Sequence, residues 1–289
     1  MTSAQKIIQI IESLISLDNE TQALIQHIVY KAVQIIISWN KTAPNREDID
    51  TEHLCDLLKR ITTDVVFIQD RPRKDLFTGG RYDPNSYRVI VTCSQTVSKE
   101  TLLDIERFSL HSHAAAKLSS ILFHEFTHRE QFTKRDIATN YDRMSVPLPN
   151  FGVPNSSSFN FGVPIRHIRH AKSLTRKPIT QYTDFGHYLG QPEEIMAHAN
   201  GLAEQFLSLR AFRRDPSYTS SDTYHKTNFQ TRQESFETAL ATYMHYVGIG
   251  TPAYKLFLRY FSENLIRAGI KTENINRLIA DTREMYNLH

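Results

Sequence analysis

Residues 121–132 read ILFHEFTHREQF, with histidines at 124 and 128 and a glutamate directly after the first. At about 100° per residue, His124 and His128 lie roughly 40° apart on one helix face, with Glu125 at its edge. Leu122, Phe126 and Ala115 fall on the opposite side, where burial would fix the helix and aim the imidazoles, while Ser120, Ile121, Thr127 and Gln131 line the histidine side. Two imidazoles so placed converge on one ion. A carboxylate too far round the helix to be a first ligand still reaches a water on that ion, which is the logic of the H-E-x-x-H pattern. Random placement of the 13 His and 16 Glu would give roughly 0.03 such matches in a chain of this length.

Composition limits what can accompany this motif. The chain has 289 residues, 40% of them hydrophobic and 22% charged, with a formal net charge of +3, which suits one large domain or two small ones. Its two cysteines, Cys55 and Cys93, are too few for a disulfide framework or a Cys-rich zinc cluster. A reducing, cytoplasmic setting is expected, and any metal must be held by His and carboxylates. The opening MTSAQKIIQIIESLISLDNE is interrupted by Gln9, Glu12 and Ser13 and is followed by no small-residue cleavage site, so it reads as an amphipathic helix and not as a signal peptide. Even IVYKAVQIIISW carries Lys31 and Gln34, and with no run of 18 apolar residues a membrane span is not expected.

Along the chain, residues 3–39 read as two amphipathic helices broken at SLDNET. The first carries Ile7, Ile8, Ile11 and Ile15, the second Leu24, Ile28, Ala32, Ile35 and Ile36. A short helix is expected around 51–60. DVVFIQD then reads as a strand, and GGRYDPNSYRVIVTC as two strands about a turn at Asp83, Pro84, Asn85 and Ser86, the one clear β region. Helices are expected from Ser98 and from near Ser112, the latter running through the motif, and again from 192 onward, with interruptions at a polar loop over 213–231 and at GIGTP, 248–252. Thr251 and Thr272 are the expected N-caps of two C-terminal helices that pack on the core. Residues 144–178 differ in character, with NFGVP at 150–154 and again at 160–164. Their prolines and glycines exclude regular helix and mark a long loop, either plain surface or a lid or recognition arm.

The third metal ligand must come from elsewhere. Three and six residues beyond His128 stand Gln131 and Lys134, where the metzincin pattern has Gly and His, so that class is excluded. In GQPEEIMAHANGLAEQFLSLR, Pro192 suits the first turn of a helix whose Ile195, Ala199, Leu202, Phe206 and Leu209 form an apolar stripe. Glu194 flanks that stripe beside Ala197, His198 and Gly201, while Glu193 points away and suits the helix dipole. Glu194 and His198 share a face one turn apart, so spacing alone leaves both open as third ligand.

HEFTH followed by a helix opening PEEIMAHA resembles the gluzincin branch of zinc metallopeptidases, in particular its small gluzincin-like proteins. The resemblance covers the motif helix, the preceding β-hairpin and the Glu194 helix, and it lacks the N-E-x-x-x-D signature of the thermolysin-like members. It implies one Zn²⁺ per chain held by His124, His128 and Glu194, with Glu125 as general base in the hydrolysis of a peptide or protein substrate. His198 would then orient a ligand or stabilise the oxyanion, a role for which His187, Tyr188 and Tyr141 are further candidates. The strand nearest the site would pair with an extended substrate and would be YRVIVT, 87–92. The implied fold is α+β, mainly α. A zincin-like catalytic domain over 61–289 holds a small β-hairpin or sheet and the loop at 144–178, with 1–60 as an N-terminal helical segment packed on it and helices at the C-terminus.

A competing reading takes the basic stretch RHIRHAKSLTRKP, 166–178, as the working surface of a catalytically inactive zincin-fold binding protein. It holds five Arg or Lys without a carboxylate and could contact nucleic acid or an acidic partner. No aromatic platform or nucleic-acid motif accompanies it, and the net charge is small, so a solvated loop is the preferred account. His111, His113, His167 and His170 have no partner at helical spacing on a backed face and are left without a role.

Overall fold

A computed structural model describes residues 17–42, 48–144, 192–214 and 223–288. The first expected helix, the 144–178 loop beyond Met144, and the basic stretch at 166–178 lie outside the described residues. The chain divides into two compact units: Leu17–Arg129 with Gly201–Phe236, and Met1–Ser16 with Glu130–Asn200 and Glu237–His289. The fold is mixed α and β and mainly helical, with small sheets.

In the first unit, α1 (Asn19–Asn40) starts where Asp18 Oδ1 accepts the Thr21 N–H at 2.7 Å, inside the expected break. Its buried face is Ile25, Ile28, Val29, Ala32, Val33, Ile36 and Trp39, with Leu24 and Ile35 at the margins. A two-stranded antiparallel ribbon joins β1 (Asp48–Asp50) to β5 (Thr96–Ser98), and α2 (Glu52–Leu58) follows β1. That ribbon has no sequence signature, because three-residue strands are too short to alternate.

The main sheet has three strands in the order β2 (Val65–Asp70), β4 (Arg88–Ser94), β3 (Phe77–Asp83). β2 runs parallel to β4, and β3 antiparallel to it with Asp83 opposite Arg88. Between β3 and β4, Asp83 Oδ2 accepts the Ser86 hydroxyl at 2.6 Å and Oδ1 the Asn85 N–H at 3.1 Å, which closes the expected turn, and Tyr87 takes a positive φ of 56°. The order corrects the expected substrate-binding strand. All of YRVIVT after Tyr87 belongs to β4, which is central, and both of its hydrogen-bonding edges are taken by β2 and β3. Among the described residues the edge strand of the hairpin is β3.

One face of this sheet buries Val65, Phe67, Val89, Val91 and Cys93 against α1, α2, α3 (Lys99–Phe108) and the long helix α4 (His113–Met144), which supplies Leu118, Leu122 and Phe126. Each large apolar side chain fully buried in this way contributes about 1.5–3 kcal/mol. Cys55 and Cys93 are buried free thiols in this core. Ser98 caps α3 by accepting the Thr101 N–H. The start of α4 is capped twice, by Ser112 Oγ on the Ala115 N–H and by Asp104 Oδ2 on the His113 N–H at 2.7 Å.

From 192 onward come α5 (Pro192–Arg214), α6 (Thr223–Val247), α7 (Pro252–Arg267) and α8 (Thr272–Met285). Of the polar stretch expected to be loop over 213–231, the described residues, 213–214 and 223–231, are helix. Arg232 gives that helix its anchor in the first unit. Its Nη2 lies 3.0 Å from Asp104 Oδ1, its Nε donates to Asn228 and its Nη1 to the His111 carbonyl, and its guanidinium sits 4.0 Å over the Phe212 ring. In the second unit, Tyr243 of α6 packs on Phe257 of α7, and Asn264 Nδ2 donates to Asn200 Oδ1 at 2.6 Å. Thr251 caps α7 as expected, whereas the cap of α8 is Lys271 without a side-chain bond and Thr272 is already helical. No helix among the described residues is long and apolar enough to cross a membrane.

Asp104 and Arg232 are each 6% exposed. Removing one partner of such a pair leaves a buried charge uncompensated, so Asp104→Ala should lose about 3–5 kcal/mol in chemical denaturation. A loss below about 1 kcal/mol would show that the pair does not hold α6 in place.

Candidate metal centre

Helix α4 presents its motif turn between a buried back and an accessible front. Leu122 and Phe126 are fully buried, as expected, and Ile121, Thr127 and Gln131 are buried too, so the helix is enclosed on more sides than one apolar stripe requires. Thr127 Oγ1 donates to the Phe123 carbonyl, and Arg129 spans from the Phe126 ring to Asp64 Oδ1 at 2.9 Å. The Asp64 pair and the buried Leu122 and Phe126 orient the helix so that His124 and His128 stay partly exposed.

The Nε2 atoms of His124 and His128 face each other at 3.3 Å, with the rings nearly perpendicular at 79°. Two nitrogens bound to one tetrahedral zinc at 2.0–2.1 Å would stand about 3.3 Å apart, so the spacing of the imidazole nitrogens matches that of a shared ion. Glu125 Oε1 lies 3.9 Å from His124 Nε2, and Glu125 is 6% exposed. The ligating atoms of His124, Glu125 and His128 fall within 4.8 Å of one another and could hold a metal ion.

Two neighbours set this geometry. On β3, a Cβ placed on Gly80 would lie 2.6 Å from Ile121 Cγ2 and 2.9 Å from Glu125 Cγ, so only glycine lets the strand come this near the helix. On α5, Gly201 brings its backbone against the same turn. Ser120 Oγ donates to the Gly201 carbonyl at 2.9 Å, and a Cβ on Gly201 would be 3.6 Å from that of His124. One turn on, the Ser119 hydroxyl donates to Glu204 at 2.8 Å; burial holds the Glu204 carboxyl above its usual range, against the opposing effect of that bond.

In the second unit, Glu194 is 6% exposed and its Oε2 stands 4.0 Å from Nε2 of His198, one turn along α5. The His198 ring packs on that of Tyr243 at 4.8 Å between centroids, and Gln131 Nε2 lies 3.6 Å from Met196 Sδ. Of the expected apolar stripe, Ile195, Ala199, Leu202 and Leu209 are buried and Phe206 is half-buried, and Ala197 on the Glu194 side is buried as well. His187 and Tyr188 lie outside the described residues, as do the side chains of Tyr141 and Glu193.

Sequence reasoning does not single out Gly80 or Tyr243. Gly80 had a signal, since a glycine inside a strand pattern marks close backbone approach. Tyr243 had none, because a buried aromatic on a helix is ordinary core. No protein-family model matches the sequence, and no curated protein or solved structure matches it.

A methyl at Gly80 must displace Ile121 and Glu125. Gly80→Ala should therefore cost about 1–3 kcal/mol in denaturant unfolding, the range for overpacking a filled core. Unchanged stability would mean that β3 does not approach α4 this closely.

Proposed function

We propose that the protein is a zinc-dependent metallopeptidase. The observation that carries this reading is the 3.3 Å separation of the His124 and His128 Nε2 atoms, with the buried Glu125 carboxylate beside them. The donor set is nitrogen and carboxylate oxygen, which suits zinc. Zinc, when bound, would supply a Lewis acid that polarises a peptide carbonyl and makes water nucleophilic near neutral pH. His124 and His128 would hold it through Nε2. Glu125 is the general base: its carboxylate takes the proton of the attacking water and passes it to the departing amine. Its burial keeps that carboxylate close to the reacting atoms and limits competing solvent.

Glu194 is the proposed third ligand. It is a buried carboxylate in the first turns of α5, and the resemblance to gluzincins implies a glutamate ligand at this position. His198 is then a positioning residue for the Glu194 carboxylate, with the Tyr243 ring packed on its own at a tilt of 37°. An extended substrate would pair with the β3 edge, whose Gly80 touches Glu125.

Purified protein should carry about one zinc per chain and cleave members of a mixed peptide library. Glu125→Gln should keep its zinc and lose about 10² to 10⁴ in turnover. Glu194→Ala should lose most of its zinc while His198→Ala retains it. Near wild-type turnover of Glu125→Gln would sink the peptidase mechanism. Full zinc with no cleavage of any peptide would favour the non-catalytic binding protein, and zinc lost from His198→Ala but kept by Glu194→Ala would point to a three-histidine site.

A further inference from the structure

Resting on that reading, we propose that Gly79 determines substrate specificity: its missing side chain opens a groove that receives a large polar side chain of an extended peptide paired to β3. Gly79 and Gly80 are adjacent yet differ in what surrounds them. Gly80, opposite Val91, faces α4 and the core. Gly79, opposite Thr92, faces the other side of the sheet, because successive strand residues alternate. A Cβ added at Gly79 meets nothing within 4 Å, and its backbone φ is not of the positive kind that reserves a position for glycine. Neither packing nor backbone conformation requires glycine there, so what the glycine provides is space.

That space is part of a groove of about 650 Å³ whose lining includes Arg73, Lys74, Asp75 and Thr78 and the backbone of both Gly79 and Gly80. The register of β3 slips between Phe77 and Gly79, and Thr78 Oγ1 donates to the Thr92 carbonyl at 3.2 Å within this irregularity. A bulge of this kind bends the strand and re-aims its side chains. A peptide hydrogen-bonded along the edge of β3 sends alternate side chains to the two faces of the sheet. Those on the α4 face meet the turn carrying Glu125. A neighbour on the opposite face, beside Gly79, enters the groove, whose walls carry charges of both signs and hydroxyls and so favour a polar side chain.

The test uses Gly79→Leu, with Gly79→Ala as the milder variant, in the full chain. The probes are fluorescein-labelled peptides in which one position at a time is Gly, Ala, Leu, Gln, Glu or Arg. Cleavage is read as kcat/KM. Binding is read separately by anisotropy on Glu125→Gln protein, with and without the second substitution. Wild type should prefer Gln, Glu or Arg at one position. Gly79→Leu should lose roughly 10- to 100-fold on those peptides in both readouts while keeping its Gly and Ala peptides, with Gly79→Ala intermediate. Thermal unfolding should stay unchanged. An active wild type whose side-chain profile is the same in both variants would overturn the role of Gly79 and leave the peptidase reading standing. A wild type that neither binds nor cleaves any of these peptides would overturn both.

Discussion

At Gly80 the backbone of β3 comes so close to α4 that a single added methyl group would lie 2.6 Å from Ile121 and 2.9 Å from Glu125. The approach puts the edge of a sheet next to the carboxylate that follows the first histidine of the motif. It also packs against the Glu125 side chain at its Cγ. Moving β3 outward by the width of a methyl group would separate the strand edge from the motif turn, and the two parts of the proposed chemistry would no longer share one place.

The helix itself is held along its length by interactions of different kinds. Its N-terminus is fixed by Asp104, which accepts the His113 N–H and pairs with the buried Arg232. Its middle is set by apolar burial of Leu118, Leu122 and Phe126, and by the small-residue contact at Gly201. Beyond the motif, Arg129 ties it to Asp64. Apolar burial is non-directional and would tolerate some rotation of the helix. The capping bonds and the close glycine contacts are directional, and they reduce that freedom until the two imidazoles face each other.

Much of this arrangement is legible in the sequence because it rests on local chemistry. The 3.6-residue period of α1 and α5, the caps at Ser98 and Thr251, and the turn at Asp83 each depend on residues close together in the chain, and each appears where those residues predict. The order of the strands was not legible. YRVIVT is the most strand-like segment and attracts the substrate-binding assignment, yet its apolar alternation with Val89, Val91 and Cys93 buried belongs to a central strand, and the edge falls to the glycine-rich FTGGRYD. The motif histidines were legible from spacing alone, whereas the role of Gly80 depends on a helix more than forty positions away. Helix was also underestimated over 223–231, where the polar Asn228, together with Arg232 just beyond, serves a network around Asp104 that composition reads as loop.

The central claim is that His124 and His128 jointly hold one zinc ion. Crystals of the zinc-loaded protein, with diffraction recorded on both sides of the zinc absorption edge, test it most directly. The account predicts one anomalous peak per chain within about 2.0–2.1 Å of both Nε2 atoms. A peak bound elsewhere, or zinc-loaded crystals in which these imidazoles remain hydrogen-bonded to each other with no ion between them, would contradict it.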